Sequence, residues 1–150
     1  MNPDSDGWVH LAAVTGPGGM KLYVNGGLQG TIPECTDSFS MPGTGSVFRL
    51  GGHAWDGLSF SGTLDDIRIW GTERIPAQIR AGMHATITGT ENGLAAAWDF
   101  GNGSGATLTN HGPDALQANL TGNAAVAAAT RQCLCGINCL IVFEFDGCSG

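Results

Sequence analysis

The segment Phe60 to Trp70, FSGTLDDIRIW, constrains the fold more than any other stretch of the chain. Its apolar and polar residues alternate as in a strand, where successive side chains point to opposite faces. Asp65, Ile67 and Ile69 then share one face, and Leu64, Asp66, Arg68 and Trp70 share the other. The two isoleucines mark their face as the one turned to the core, which carries Asp65 inward with them. A carboxylate taken out of water is costly unless it is hydrogen-bonded, paired or bound to a metal. Asp65 therefore needs a partner elsewhere in the fold.

The remaining elements are short and heavily punctuated. Residues 8–15 are apolar on both sides and read as a strand inside a sandwich. Gly16 to Gly19 is a turn, Lys21 to Val24 the return strand, and Asn25-Gly26 a type I′ hairpin signal. Gly27 to Ile32 follows as a strand, residues 33–45 as a loop, Ser46 to Gly51 as a short strand and Gly52 to Gly57 as a loop. After the 60–70 strand, Thr72 reads as the N-cap of a short helix, with Pro76 early in it and Gly82 at its end. Residues 84–92 form a polar connector, Gly93 to Phe100 a strand, Gly101 to Gly105 a turn and Leu116 to Thr121 a final short strand. Composition supports short strands over long helices: 25 Gly and 13% charged residues, against about 25% charged in an ordinary globular domain.

These segments carry a family resemblance. GTLDDIRIW at 62–70, Trp8 to Val14 (WVHLAAV) with Lys21 to Gly26 (KLYVNG), and Pro76 to Arg80 (PAQIR) are similar, in order and spacing, to laminin G-like, concanavalin A-like jelly rolls. The resemblance covers roughly residues 7–83 and implies an all-β, antiparallel jelly-roll β-sandwich with one short helix. GLAAAWDFGNGSG at 93–105 resembles the strand and turn that usually begin such domains, yet it comes late here. It either closes the sheet of the preceding domain or starts another one. The chain thus reads as a partial copy: residues 1–122 as the laminin G-like domain without its first strands, 123–132 as a linker and 133–150 as a Cys-rich tail. Leu140 to Phe145 (LIVFEF) in that tail has strong β character and would be adhesive on an exposed edge.

Three constellations bear on function. Asp65 and Asp66, with Asn25, are candidate Ca²⁺ ligands, since the cation takes carboxylate, carbonyl and amide oxygens and many relatives bind it; Asp56 and Asp99 are further oxygen donors. The structural alternative pairs Arg68 with Asp66 on the outer face and lets Asp65 accept from backbone or Trp N–H groups. Trp55, flanked by His53 and Asp56 in a Gly-bounded loop, is placed to stack on a sugar while its neighbours take hydroxyls; the alternative folds Trp55 back as a cap on the sandwich. Trp8, Trp70 and Trp98 read as core or sheet-face residues, and His10 as a satisfied structural residue. Cys35, Cys133, Cys135, Cys139 and Cys148 are disulfide candidates, because the C-x-C spacing at 133–135 makes a poor zinc chelate.

A net charge of −7 excludes the basic footprint of a nucleic-acid binder. Residues 1–7 show neither the basic nor the apolar region of a secretory leader. The Cys139 to Phe143 run is far shorter than the ~20 residues of a membrane span. No carboxylate pair of glycosidase type, with acids at alternate positions on one strand face, is evident: Asp65 and Asp66 are adjacent and point to opposite faces, and Asp99 stands alone on its strand. The expected role is a non-catalytic extracellular or cell-surface module that recognises carbohydrate or protein, with Ca²⁺ where the acidic residues converge. The alternatives are a structural spacer in a larger secreted protein, a fragment without independent function, and an accessory domain of a carbohydrate-active enzyme.

Overall fold

The computed structural model describes residues 8–36, 49–52, 60, 62–100, 107–114, 117–122 and 124–125. Within them the chain is antiparallel β throughout, with one short helix. Strands β1 (Leu11–Val14), β2 (Met20–Val24) and β3 (Gly27–Ile32) form one meander in spatial order β1-β2-β3. β4 (Ile67–Trp70) pairs with β5 (Leu94–Trp98), and β6 (Thr107–Leu108) with β7 (Ala118–Asn119). Helix α1 (Pro76–Gly82) lies between β4 and β5 in the chain.

The first two turns follow from their residues. Gly19 N–H donates to Gly16 C=O at 2.9 Å, with Gly19 at φ +84°. Asn25 (φ 49°) and Gly26 (φ 71°) both adopt the left-handed conformation that a type I′ hairpin requires. Leu22 pairs with Gly30 but Tyr23 with Leu28, so an irregularity between these pairs gives β3 one extra residue. As a result Leu28 lies on the face of Tyr23, while Ile32 lies on the face of Leu22.

Two apolar clusters hold the elements. Val14, Tyr23 and Ile79 are buried together, with Ala12 against them, so α1 covers one face of the meander. Ile67, Ala96, Trp98 and Leu108 form the second cluster, packed by Leu50, Ile69, Phe100, Ala118 and Leu120 from the flanking segments. This cluster joins the β4-β5 ladder to the β6-β7 ladder.

Several expectations need correction. Regular strand occupies only residues 67–70 of the expected 60–70. Asp66 sits at φ 53°, which turns the chain and interrupts the alternation just before Ile67. Asp65 is therefore half-buried instead of being carried into the core with Ile67 and Ile69. The helix N-cap is Ile75, not Thr72, because Gln78 Oε1 reaches back to accept from Ile75 N–H at 3.1 Å. Residues 49–51 of the expected 46–51 strand are not strand, and Gly51 turns at φ +73°. Of residues 117–121 in the late β signal only 118–119 are strand, and their partner at 107–108 was not foreseen.

Candidate functional site

The most structured polar constellation surrounds Arg68. Strand β4 inserts this guanidinium beneath the end of α1, where Arg68 is only 4% exposed. Arg68 Nε and Nη2 donate to the two carboxylate oxygens of Asp66 at 2.8 and 2.5 Å. Nη1 donates to Gly82 C=O at 2.7 Å and Nη2 also to Ala85 C=O at 2.6 Å. The cation thereby adds a second donor to Gly82 C=O, which also accepts from Ala85 N–H at 3.0 Å, and ties down Ala85 C=O just beyond α1, at the helix end where the dipole favours positive charge. The Arg68–Asp66 pairing was legible from sequence, but its place was not: it is buried under the helix, not displayed on an outer face.

His10 borders this cluster at 6% exposure. Its backbone is paired twice with the hairpin turn: Asn25 N–H donates to His10 C=O at 2.8 Å, and His10 N–H donates to Asn25 Oδ1 at 2.8 Å. Gly26, next in the turn, is buried against Arg80 of α1 and Met83, the residue that caps its C-terminal end. Burial, and then the charges of Arg68 and His84, lower the His10 pKa from 6.5 to about 4. The imidazole is not the satisfied residue expected from sequence, because Nδ1 is buried without a hydrogen-bond partner among the described residues.

A second constellation lies where β5 ends. Asp65 Oδ1 accepts from Asp66 N–H at 2.8 Å and from Phe100 N–H at 3.4 Å, which ties the turn before β4 to the residue after β5. This matches the reading of Asp65 as a backbone acceptor. Asp99 Oδ1 lies 4.0 Å from His111 Nε2. Asn110 Oδ1 accepts from Ala97 and Gly112 N–H at 2.9 and 2.8 Å, and Asn110 Nδ2 donates to Asp114 C=O. Trp98 is buried in the core as expected, with Nε1 unpartnered among the described residues. Sequence reasoning missed His111 and Asn110, since nothing in the 107–114 segment signals that it returns to β5.

The Ca²⁺ candidates fall in two places. Asn25 holds the hairpin through His10, while Asp65 and Asp66 brace the entry to β4. Among the described residues no three His, Cys, Asp or Glu side chains converge in a metal-binding group. His53, Trp55 and Asp56 lie outside the described residues, as do Cys133, Cys135, Cys139 and Cys148. The base of the 53–59 segment is described: Phe60 N–H donates to Gly51 C=O at 2.8 Å, and Leu50 packs on the Ile67–Trp98 cluster. Phe100, which leads into residues 101–106, packs on the same cluster. Leu50 and Phe100 thus share one patch of core.

The family model described as the concanavalin A-like lectin/glucanases superfamily, in its laminin G form, matches residues 1–80. That span contains β1 to β4 and ends inside α1. The chain belongs to the concanavalin A-like lectin/glucanase superfamily. The antiparallel strands and the single short helix among the described residues are those of a concanavalin A-like β-sandwich present in part. No curated protein and no solved structure matches the chain. Membership in this superfamily points to a carbohydrate- or protein-binding module. Among the described residues no helix is long and apolar enough to cross a membrane.

Proposed function

We propose that the chain is a non-catalytic extracellular recognition module that presents loops from one end of a rigid antiparallel framework to a carbohydrate or protein. The observation that carries this reading is the shared packing of Leu50 and Phe100 on one core cluster. Leu50 and Phe100, which lead into residues 53–59 and 101–106, share the Ile67–Trp98 cluster. A loop anchored on packed elements positions its side chains at low entropic cost. Trp55 would supply the stacking surface, with His53 and Asp56 taking polar groups of the ligand.

Ca²⁺ belongs to the same proposal. Asp65 and Asp66 are the donors nearest the anchored end, and the cation would draw further oxygens from the loops, with Asn25 the more distant candidate by its place in the hairpin. Asp66 would have to share its carboxylate with Arg68, so metal binding would be weak.

A glycan array probed with the full chain and with W55A tests the recognition reading. Binding that W55A reduces at least tenfold supports it; no binding to glycans or to extracellular matrix proteins leaves the spacer role in its place. Thermal unfolding in about 2 mM CaCl₂ or in EDTA separates the metal question, because weak extracellular sites fill in this range. A melting temperature that rises with Ca²⁺, and does not in D65N, supports the site.

A further inference from the structure

The triplet Asn119-Leu120-Thr121 has the form N-x-[ST] with no proline at its centre, the acceptor pattern for asparagine-linked glycosylation. By itself such a triplet is short and common. What the fold does with it is more specific. Asn119 ends β7 and is exposed, and Thr121 is exposed as well. Ala118 and Leu120 alternate with them and pack on the Ile67–Trp98 cluster. The period of two therefore turns both polar residues of the triplet outward, while Leu120 between them fixes the segment to the core.

The acceptor atom is also available. Thr107 Oγ1, across the β6-β7 ladder, donates to Asn119 Oδ1 at 3.4 Å. This contact uses the carbonyl oxygen of the amide and leaves Nδ2 with no hydrogen-bond partner among the described residues. Thr121 Oγ1 has none there either, while its backbone C=O accepts from Ala124 N–H at 3.3 Å. Gly122 follows at φ +64°, so the chain turns directly after the triplet.

We propose that Asn119 is a glycosylation site that takes an oligosaccharide on Nδ2. The proposal rests on the extracellular reading above, since the donor, a lipid-diphosphate-linked oligosaccharide, belongs to the secretory route. In the transfer, Nδ2 attacks the anomeric carbon of the first sugar. The C–N bond forms as the bond from that carbon to the diphosphate oxygen breaks. The lipid diphosphate leaves with the electron pair, and one amide proton passes to a base of the transferring enzyme. Asn119 Oδ1 takes no part in this step, so the Thr107 contact is compatible with the attached sugar. In the folded chain the sugar stands in solvent over β7. Among the described residues β7 pairs with β6 alone. A bulky, solubilising group on it guards this short ladder against pairing with other chains.

The test sends the full chain, behind a cleavable leader, through the secretory route of a cultured eukaryotic cell. Chain recovered from cells and medium is treated with a glycan-releasing amidase in heavy-oxygen water and mapped by mass spectrometry. Asn119 is expected to return as labelled aspartate. N119Q and T121A are each expected to lose that label and the gel shift the glycan causes, and T121S, which keeps a hydroxyl, to retain both. T121A leaves the Thr107 contact untouched and so covers the case in which N119Q disturbs the ladder. The other N-x-[ST] triplet of the chain, Asn102-Gly-Ser104, lies outside the described residues and serves as an internal control. Label at Asn102 with none at Asn119 overturns the proposal, as does a chain labelled at neither position. Label at Asn119 that persists in T121A overturns it too. The leader delivers the chain to the transferring enzyme whatever its native compartment, so an unlabelled Asn119 defeats this site and leaves the recognition reading standing. That reading fails separately, on the glycan array.

Discussion

Arg68 and Asp66 lock across two residues of one strand entry, with the guanidinium fork meeting the carboxylate through Nε and Nη2. The same guanidinium then reaches the carbonyls of Gly82 and Ala85, 14 and 17 residues further on. One side chain thereby binds the turn before β4 to the end of α1, and α1 in turn covers the meander.

Removal of Arg68 is expected to be severe. R68M removes the guanidinium from Asp66, Gly82 C=O and Ala85 C=O together; breaking one side of a buried ion pair costs roughly 3–5 kcal/mol, and the partial exposure of Asp66 places this loss at or below the lower end. R68K restores charge but not the planar fork, so it recovers only part of that loss. Urea unfolding of the three proteins checks the order wild type, R68K, R68M.

Asp66 adds a backbone effect to the pair. At φ 53° it occupies a conformation that Asn tolerates and Ala resists. D66A is expected to be less stable than D66N by about 1–2 kcal/mol, the cost of a left-handed residue with an ordinary Cβ. Both variants lose charge from the Arg68 contact, and D66N alone keeps an oxygen that accepts from Arg68, so their difference combines the backbone term with one hydrogen bond.

His10 makes stability depend on pH. Its folded pKa of about 4 lies below the ordinary 6.5, so the unfolded chain binds the extra proton between those values. Its contribution is fully present above 6.5, falls as pH drops through that window and levels off below about 4. The total is about 3 kcal/mol at most, at 1.36 kcal/mol per unit. Stability curves measured from pH 7 to pH 4 should be flatter in H10Q over this interval; identical slopes would remove His10 as the cause.

Glu91 should titrate far from ordinary glutamate. Thr88 N–H and Oγ1 donate to Oε1 at 2.6 and 2.8 Å and Gly89 N–H to Oε2 at 3.0 Å, which lowers its pKa from 4.5 to about 2. Its share of stability is therefore present above 4.5 and lost as pH falls toward about 2. Carboxyl NMR titration reads this directly. T88A, which removes the hydroxyl donor and keeps the N–H, is expected to move the value part of the way back.

Two glycines differ in what they permit. A Cβ on Gly19 would meet Ile32 C=O at 2.5 Å at φ +84°, whereas one on Gly30 meets nothing within 4 Å. G19A is expected to cost at least about 1–3 kcal/mol from the backbone conformation alone. G30A should be neutral or raise stability by about 0.4–1 kcal/mol, through the unfolded chain. Melting temperatures of the two variants make the comparison.

Local chemistry by itself determined the hairpin, the strands β1 to β5 in outline, the presence of a short helix and the superfamily to which residues 1–80 belong. Asn25-Gly26 demands a type I′ turn whatever surrounds it, and apolar runs bounded by glycine leave few options beyond short strands. Tertiary structure decided the rest. Period-two reasoning carried Asp65 into the core, but the left-handed turn at Asp66 released it, because the turn was secured by an Arg68 contact that spans β4 and α1. His10 read as an ordinary strand residue, and only the packing of the hairpin near Arg68 and His84 gave it a depressed pKa. The pairing of β6 with β7, and the return of Asn110 and His111 to β5, had no local signature at all. Burial and long-range charge depend on which segments meet, and a residue's neighbours in sequence do not specify its neighbours in space.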